Sequence, residues 1–251
     1  MNILFTVCGR GGSKGVKSKN IRKFLGTPLF EYTLWSINKY KEENLQKFEN
    51  IHTAISTDSV EFIEMIDSRQ SSEFHIINRS SDLAEDNTPK MYAIRDALEK
   101  SEILSGLKYD IIVDLDITSP IRTIRDIGNA INKKIDDDYD VVFSVTDARR
   151  NPYFNMVKEE GKYVKKVLES NFTARQQTPV MYDMNASIYA YRREFLLSGA
   201  RSPLDCKAGI VEMMDTGIID IDSDNDFNLM EIIANYIIEN KEEYSYLKYN
   251  K

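Results

Sequence analysis

The chain has 251 residues, a net charge of −7, and only two cysteines and two histidines. At this size roughly 70 % of the extended chain's surface can be buried, so a core needs neither disulfide nor structural metal. Cys8, Cys206, His52 and His75 are too few for a zinc finger, a thiolate cluster or a multi-histidine site, which leaves a carboxylate-held hard cation such as Mg²⁺ as the metal to expect, while the acidic balance argues against a nucleic-acid binder.

Ile3–Val7 is an apolar run ending at Gly9 and reads as a buried strand. Thr27-Pro28 reads as an N-cap with proline at the first helical position, leading a helix over Leu29–Tyr40. His52–Ser56 is a second strand, and Thr57-Asp58-Ser59 caps a helix from Val60 to about Arg69. Phe74–Ile77 is a strand, Pro89 opens a helix to about Lys100, Ile111–Leu115 is a strand, Arg125–Lys134 a helix and Val141–Val145 a strand. This alternation predicts parallel βαβ units in a three-layer, Rossmann-like α/β fold with a mostly parallel sheet.

Beyond residue 147 the rhythm changes. Arg149–Lys166 holds Asn-Pro, Glu-Glu-Gly and short alternating stretches, and reads as a β-rich arm over about 149–170 projecting from the sheet. Ser187–Tyr191 and Ile218–Ile221 read as strands. Asp224–Asn240 reads as a closing helix with Phe227, Met230, Ile233 and Tyr236 on one face, and the charged, tyrosine-rich tail 241–251 is expected to fray. No repeat or linker divides the chain, so residues 1–251 form one domain. No uncharged run exceeds nine residues, so a membrane span and a secretory leader are not expected; with two lone cysteines this reads as a cytoplasmic protein with no membrane partner.

Four stretches could carry chemistry. Gly9-Arg10-Gly11-Gly12-Ser13-Lys14-Gly15, continued by Lys19-Asn20, follows the first strand, at the carboxyl edge where α/β sheets bind ligands. Arg10, Lys14, Lys17, Lys19, Arg22 and Lys23 crowd into fourteen residues, and no acid precedes Glu31. Glycines such as Gly12 let backbone approach an anion, and Arg10, Lys14 and Lys19 add fixed charge, a combination suited to a nucleotide triphosphate. The spacing is neither a Walker A loop nor a dinucleotide fingerprint. Asp220 and Asp222 project to one face of a strand end, an arrangement suited to Mg²⁺, although Asp222 or Ser223 could simply cap the closing helix. Asp114 and Asp116 share a face before Thr118-Ser119-Pro120, and Arg122 could reach a carboxylate or phosphate. Arg175 offers a fork for a carboxylate, and Asn185 a donor and an acceptor for sugar hydroxyls.

Together these stretches resemble the acylneuraminate cytidylyltransferase family, which makes CMP-activated nonulosonic acids. The resemblance runs in order through Arg10-Gly-Gly-Ser-Lys-Gly, Lys19-Asn20, Ile55-Ser-Thr-Asp58, Arg79, Asp86, Thr118-Ser-Pro-Ile-Arg122, Arg149-Arg-Asn-Pro-Tyr-Phe154, Arg175-Gln176, Asn185 to Tyr189, and Asp220-Ile-Asp222. It implies CTP as co-substrate, with Arg10, Ser13, Lys14, Lys19 and Asn20 around its phosphates, and Arg79 and Thr88 lining the cytidine site. It implies Mg²⁺ on Asp220 and Asp222, and Asp116, Arg175, Asn185 and Tyr189 facing the sugar acid. Lys19, Arg10 and Asp222 would be the catalytic groups, and the arm would pair two subunits into a homodimer. Asp116-Ile117 stands where many sialate-activating members have Gln-Pro; that departure, with Arg149–Phe154 and Asn171–Ser187, looks more like the branch that activates legionaminic acid. Other acceptors (N-acetylneuraminate, pseudaminate, Kdo) stay open, as do an Asp-x-Asp glycosyltransferase using Asp114 and Asp116 and a nucleotide-binding sensor.

Overall fold

The computed structural model describes residues 1–12, 15–68, 74–216 and 221–248. Strand β1 (Asn2–Cys8) turns Ile3, Phe5 and Val7 to one face and Leu4 to the other, all without solvent exposure. A strand apolar on both faces belongs inside a sheet covered on both sides. It pairs in parallel with β4 (Asn50–Thr57) and β6 (Ile111–Leu115).

Among the described residues the sheet has seven strands. With β5 (Phe74–Asn78), β7 (Val141–Asp147), β10 (Tyr182–Arg192) and β11 (Ala208–Glu212), its order is β11-β7-β10-β6-β1-β4-β5. Among these strands only β10 runs antiparallel, wedged between β6 and β7, so the sheet is mostly parallel as expected. One face packs against α1 (Leu29–Asn44), α2 (Val60–Asp67), α4 (Ile124–Asp136) and α6 (Asp224–Asn240). The other packs against α3 (Lys90–Ser105) and α5 (Arg193–Leu197).

Several local expectations change. Thr27 and Pro28 form β3, paired with β2 (Lys23–Phe24), and Pro28 occupies the N-cap position instead of the first helical one. In α6 the buried face is Phe227, Met230, Ala234 and Ile237, whereas Tyr236 is exposed. Steps of three residues fall about 60° short of a revolution, so the stripe must include a step of four. β10 is longer than its apolar segment suggests, because a register shift between Met184 and Tyr189, with Ala186 at φ 51°, absorbs the polar half. β11 and α5 lack a clear periodic signal and carry none in the sequence reading.

The segment expected to form the arm contains β8 (Val157–Glu160) and β9 (Tyr163–Lys166), a separate two-stranded hairpin turning at Gly161. Of the tail expected to fray, Glu242–Leu247 instead forms a 3₁₀ turn with Tyr244 and Leu247 buried. The Tyr246 hydroxyl donates to the Arg122 carbonyl at 2.8 Å, which pins the turn to the core. The expected strand at Ile218–Ile221 falls on residues outside those described, except for the buried Ile221.

Candidate active site

A cavity of about 430 Å³ opens at the carboxyl ends of β1 and β6. It gathers Arg10, Lys19, Asn20, Arg79, Thr88, Asp116 and Asp222 from five separate stretches of the chain, together with Cys8, Asp86 and Lys90.

The loop after β1 is held from several sides. The Gly11 N–H donates to the Asp58 carboxylate at 2.8 Å, and the Asn20 amide donates to the Arg10 carbonyl at 2.9 Å. The Arg10 guanidinium meets Asp86 at 2.8 Å, tying this loop to the one after β5. The Lys19 ammonium donates to the Ile221 carbonyl and lies 3.6 Å from Asp222. Gly15 packs so closely on this segment that a Cβ there would sit 1.9 Å from the Asp222 carbonyl oxygen, which explains glycine at that position. Gly12 is exposed and does not line the cavity. Ser13, Lys14 and Asp220 lie outside the described residues.

At the far end of this loop contact, Ser223 caps α6. Its hydroxyl accepts from the Asp226 N–H, and the Asp226 carboxylate accepts from the Ser223 N–H at 2.8 Å. The capping role that Asp222 might have taken is therefore filled, and its carboxylate stays 80 % exposed at the cavity mouth. Among the described residues no three His, Cys, Asp or Glu side chains converge on a metal site. One exposed carboxylate facing a phosphate-sized cavity still fits Mg²⁺, which retains waters and takes one or two carboxylates plus phosphate oxygens.

Arg79, expected at the cytidine, is buried and donates to the Ser56 hydroxyl and carbonyl at 3.1 and 2.8 Å. The Thr88 hydroxyl donates to the Asp82 carbonyl. Asp116 faces the cavity, but its carboxylate accepts from Thr118 N and Oγ1 at 3.0 and 2.9 Å and meets the Lys90 ammonium at 2.5 Å. Burial would raise its pKa, yet Lys90 and the Thr118 donors bring it down to about 2. Lys90 also meets Asp114 at 2.8 Å; burial would lower its pKa, but the two carboxylates lift it well above its ordinary value.

Asp114 has no solvent exposure, accepts from the Thr6 hydroxyl at 2.8 Å, and is spoken for by Lys90. This removes the basis for Asp114-Leu-Asp116 as a metal-binding Asp-x-Asp. Burial and the adjacent Asp114 push the Cys8 thiol up to about 12, so it is not a nucleophile.

Arg122 does not reach toward a ligand. It is fully buried, donates to the carbonyls of Asp116 and Ser119 and to the Ser187 hydroxyl, and burial lowers its pKa to about 10. It fixes the Asp116–Ser119 turn.

Of the residues expected at the sugar, Asp116 lines this cavity, whereas Arg175, Asn185 and Tyr189 do not. Arg175 is exposed and donates to the Ala148 carbonyl at 2.7 Å. Asn185 is buried, its side-chain oxygen accepting from Ser144 at 2.6 Å. Tyr189 stands opposite Asp114 in the sheet and stacks on Tyr191. His52 and His75 sit edge to face near the amino ends of β4 and β5, at the opposite edge of the sheet.

Sequence reasoning passed over Lys90. Its signal is a cation in the first turn of α3, where the helix dipole favours anions. Only the buried Asp114 and the adjoining Asp116 make that placement favourable.

Comparison with known proteins agrees with this geometry. A family profile described as cytidylyltransferase matches residues 4–233. The chain is 38 % identical over 231 residues to the CMP-N,N'-diacetyllegionaminic acid synthase of Campylobacter jejuni and, equally, to the post-translational flagellin modification protein B of Campylobacter coli, covering 92 % of this chain and 94 % of each relative. It is 25 % identical to an N-acylneuraminate cytidylyltransferase of Streptococcus agalactiae, of which it spans 57 %. In fold it is similar to a CMP:2-keto-3-deoxy-manno-octonic acid synthetase complexed with CTP (TM-score 0.63, 16 % identity, 95 % of this chain and 100 % of that one). It is also similar to a 4-diphosphocytidyl-2C-methyl-D-erythritol synthase of Anaerococcus prevotii (TM-score 0.58, 14 % identity, 93 % and 98 %).

Proposed function

The chain belongs to the cytidylyltransferase family, and from that premise we propose that it joins CTP to a nonulosonic acid of the legionaminic type, releasing the CMP-sugar and pyrophosphate. The observation that carries this reading is the single cavity that Arg10, Lys19, Asn20 and Asp222 line together with Arg79, Thr88 and Lys90. The legionaminic acceptor rests on the 38 % identity over nearly the full length of both chains.

In the proposed reaction the acceptor's anomeric hydroxyl attacks the α-phosphorus in line. Its oxygen forms the new P–O bond, the bond to the β-phosphate bridging oxygen breaks, pyrophosphate leaves and the hydroxyl proton passes to solvent. Catalysis of such transfers is mainly positioning and charge stabilisation. Arg10, tethered by Asp86, and Lys19, anchored on the Ile221 carbonyl, are suited to take up charge on the phosphates. Asn20 holds the loop through the Arg10 carbonyl. Asp222, with Asp220, would hold Mg²⁺. That ion would supply Lewis-acid polarisation of the phosphoryl oxygens and lower the pKa of the attacking hydroxyl.

The β8–β9 hairpin presents Val157, Tyr163 and Val164 to solvent, all more than 60 % exposed, and we assign it to pairing with a second copy. Arg175, Asn185 and Tyr189 remain candidates for the acceptor's carboxylate and hydroxyls. Among the described residues no helix is long and apolar enough to cross a membrane. Free Cys8 and Cys206 and the use of CTP suit the cytoplasm.

The test is CTP-dependent pyrophosphate release with N,N'-diacetyllegionaminate, N-acetylneuraminate and pseudaminate side by side. The highest kcat/KM is expected for the first. Preference for either of the others would overturn the acceptor, and no release with any of them would overturn the reaction.

A further inference from the structure

Lys90 and the two carboxylates that hold it have no role in the phosphate chemistry. Among the described residues the apolar part of the cavity lining is Cys8, Leu83 and Ala93. Ala93 lies one turn beyond Lys90 on α3, and the Cys8 thiol lies within electrostatic reach of Lys90 and Arg79. Apolar surface beside the two cations, in the same cavity as Lys19 and Asp222, has the chemistry of a site for a planar base.

The ammonium is held by Asp114 at 2.8 Å and Asp116 at 2.5 Å, and its side chain keeps 36 % of its exposure toward the cavity. An ammonium has three donors and no acceptor. Asp116 takes one in a hydrogen bond and Asp114 pairs with the ammonium at 2.8 Å, which leaves donor capacity for a ligand. The carboxylates lift the pKa of Lys90 well above its ordinary value, so it does not become an acceptor by losing its proton. Asp116 in turn has both oxygens engaged, by Thr118 and by Lys90, which makes it a holder of the ammonium.

We propose that Lys90 is the base-selecting residue of this site, donating to the ring acceptors of cytosine, with Asp114 and Asp116 as its positioning residues. The inference rests on the cytidylyltransferase reading. Cytosine and uracil share the O2 acceptor, so the selecting contact is at N3, an acceptor in cytosine and an N3–H in uracil, where a donor-only group meets a second donor. A buried donor left against another donor loses the interaction and keeps the desolvation cost.

The experiment compares kcat/KM for CTP and UTP, with acceptor saturating, in the wild-type enzyme and in Lys90→Gln. Wild type should prefer CTP. The amide of Lys90→Gln both donates and accepts, so its CTP:UTP ratio should fall by about 10- to 100-fold, as expected for loss of one charge-assisted hydrogen bond, with the acceptor KM unchanged. Because Lys90→Gln strips the cation from a fully buried Asp114, the double variant Lys90→Gln/Asp114→Asn serves where the single one does not fold; the same fall in ratio is expected. Asp116→Asn should lower the ratio by a smaller factor, through KM for CTP, and Lys90→Arg should keep it. An unchanged ratio in the Gln variants, a shift confined to acceptor KM, or a wild-type ratio near one would each overturn the proposal. Absence of pyrophosphate release by wild type with CTP would instead overturn the reaction itself.

Discussion

Gly15→Ala tests whether the loop after β1 and the Asp222 segment work as one unit. A Cβ at position 15 would lie 1.9 Å from the Asp222 carbonyl oxygen and 3.0 Å from its carbonyl carbon, where ordinary contact begins at 3.4 Å. The obstructing atoms are backbone, so a rotamer change cannot relieve the clash; the two segments must separate by about 1.5 Å. Lys19 spans the same junction through the Ile221 carbonyl and Asp222, so the separation also displaces the ammonium. A displacement of about 1 Å at reacting groups can cost about 100-fold in rate. Gly15→Ala should therefore lower kcat/KM for CTP-dependent pyrophosphate release by about 100-fold or more. Val16 and Ile221, the neighbours of the two positions, are buried in the apolar core, so the thermal midpoint should fall as well, and kcat/KM is read at a temperature where circular dichroism shows the variant folded. A variant within threefold of wild-type kcat/KM would refute the coupling, and so would a loss of activity that simply follows unfolding in circular dichroism.

Lys19→Ala and Asp222→Asn should each reduce turnover by at least about 100-fold with the fold retained, the usual effect of removing one preorganised charged contact; near-normal turnover in either would remove that residue from the mechanism. Stability should fall in acid partly through Asp116. Its folded pKa, about 2, lies below its ordinary 3.8, so the stabilisation is present above pH 3.8 and is lost as pH falls toward 2. Urea denaturation at pH 5, 4 and 3 should accordingly show a shallower loss for Asp116→Asn than for wild type, and parallel slopes would contradict the assignment. Replacing Val157 and Val164 in the exposed hairpin with aspartate should shift sedimentation from dimer to monomer without unfolding the sheet; an unchanged sedimentation coefficient would move the interface elsewhere.

Local pattern alone determined the βαβ rhythm, the bounds of β6, the Ser59 cap of α2 and the span of α6, because each depends on residues a few positions apart. The cation-rich loop after β1 was legible for the same reason, and Arg10, Lys19 and Asn20 from it line the cavity. Antiparallel insertion of β10 between β6 and β7 was decided only in three dimensions, since strand order depends on which apolar faces meet. So were the burial of the tail on Arg122, the withdrawal of that arginine into the core, and the locking of Asp114 and Asp116 by Lys90. Charge type and spacing announce that a carboxylate is present; its availability to a ligand is set by whichever distant cation the fold brings beside it.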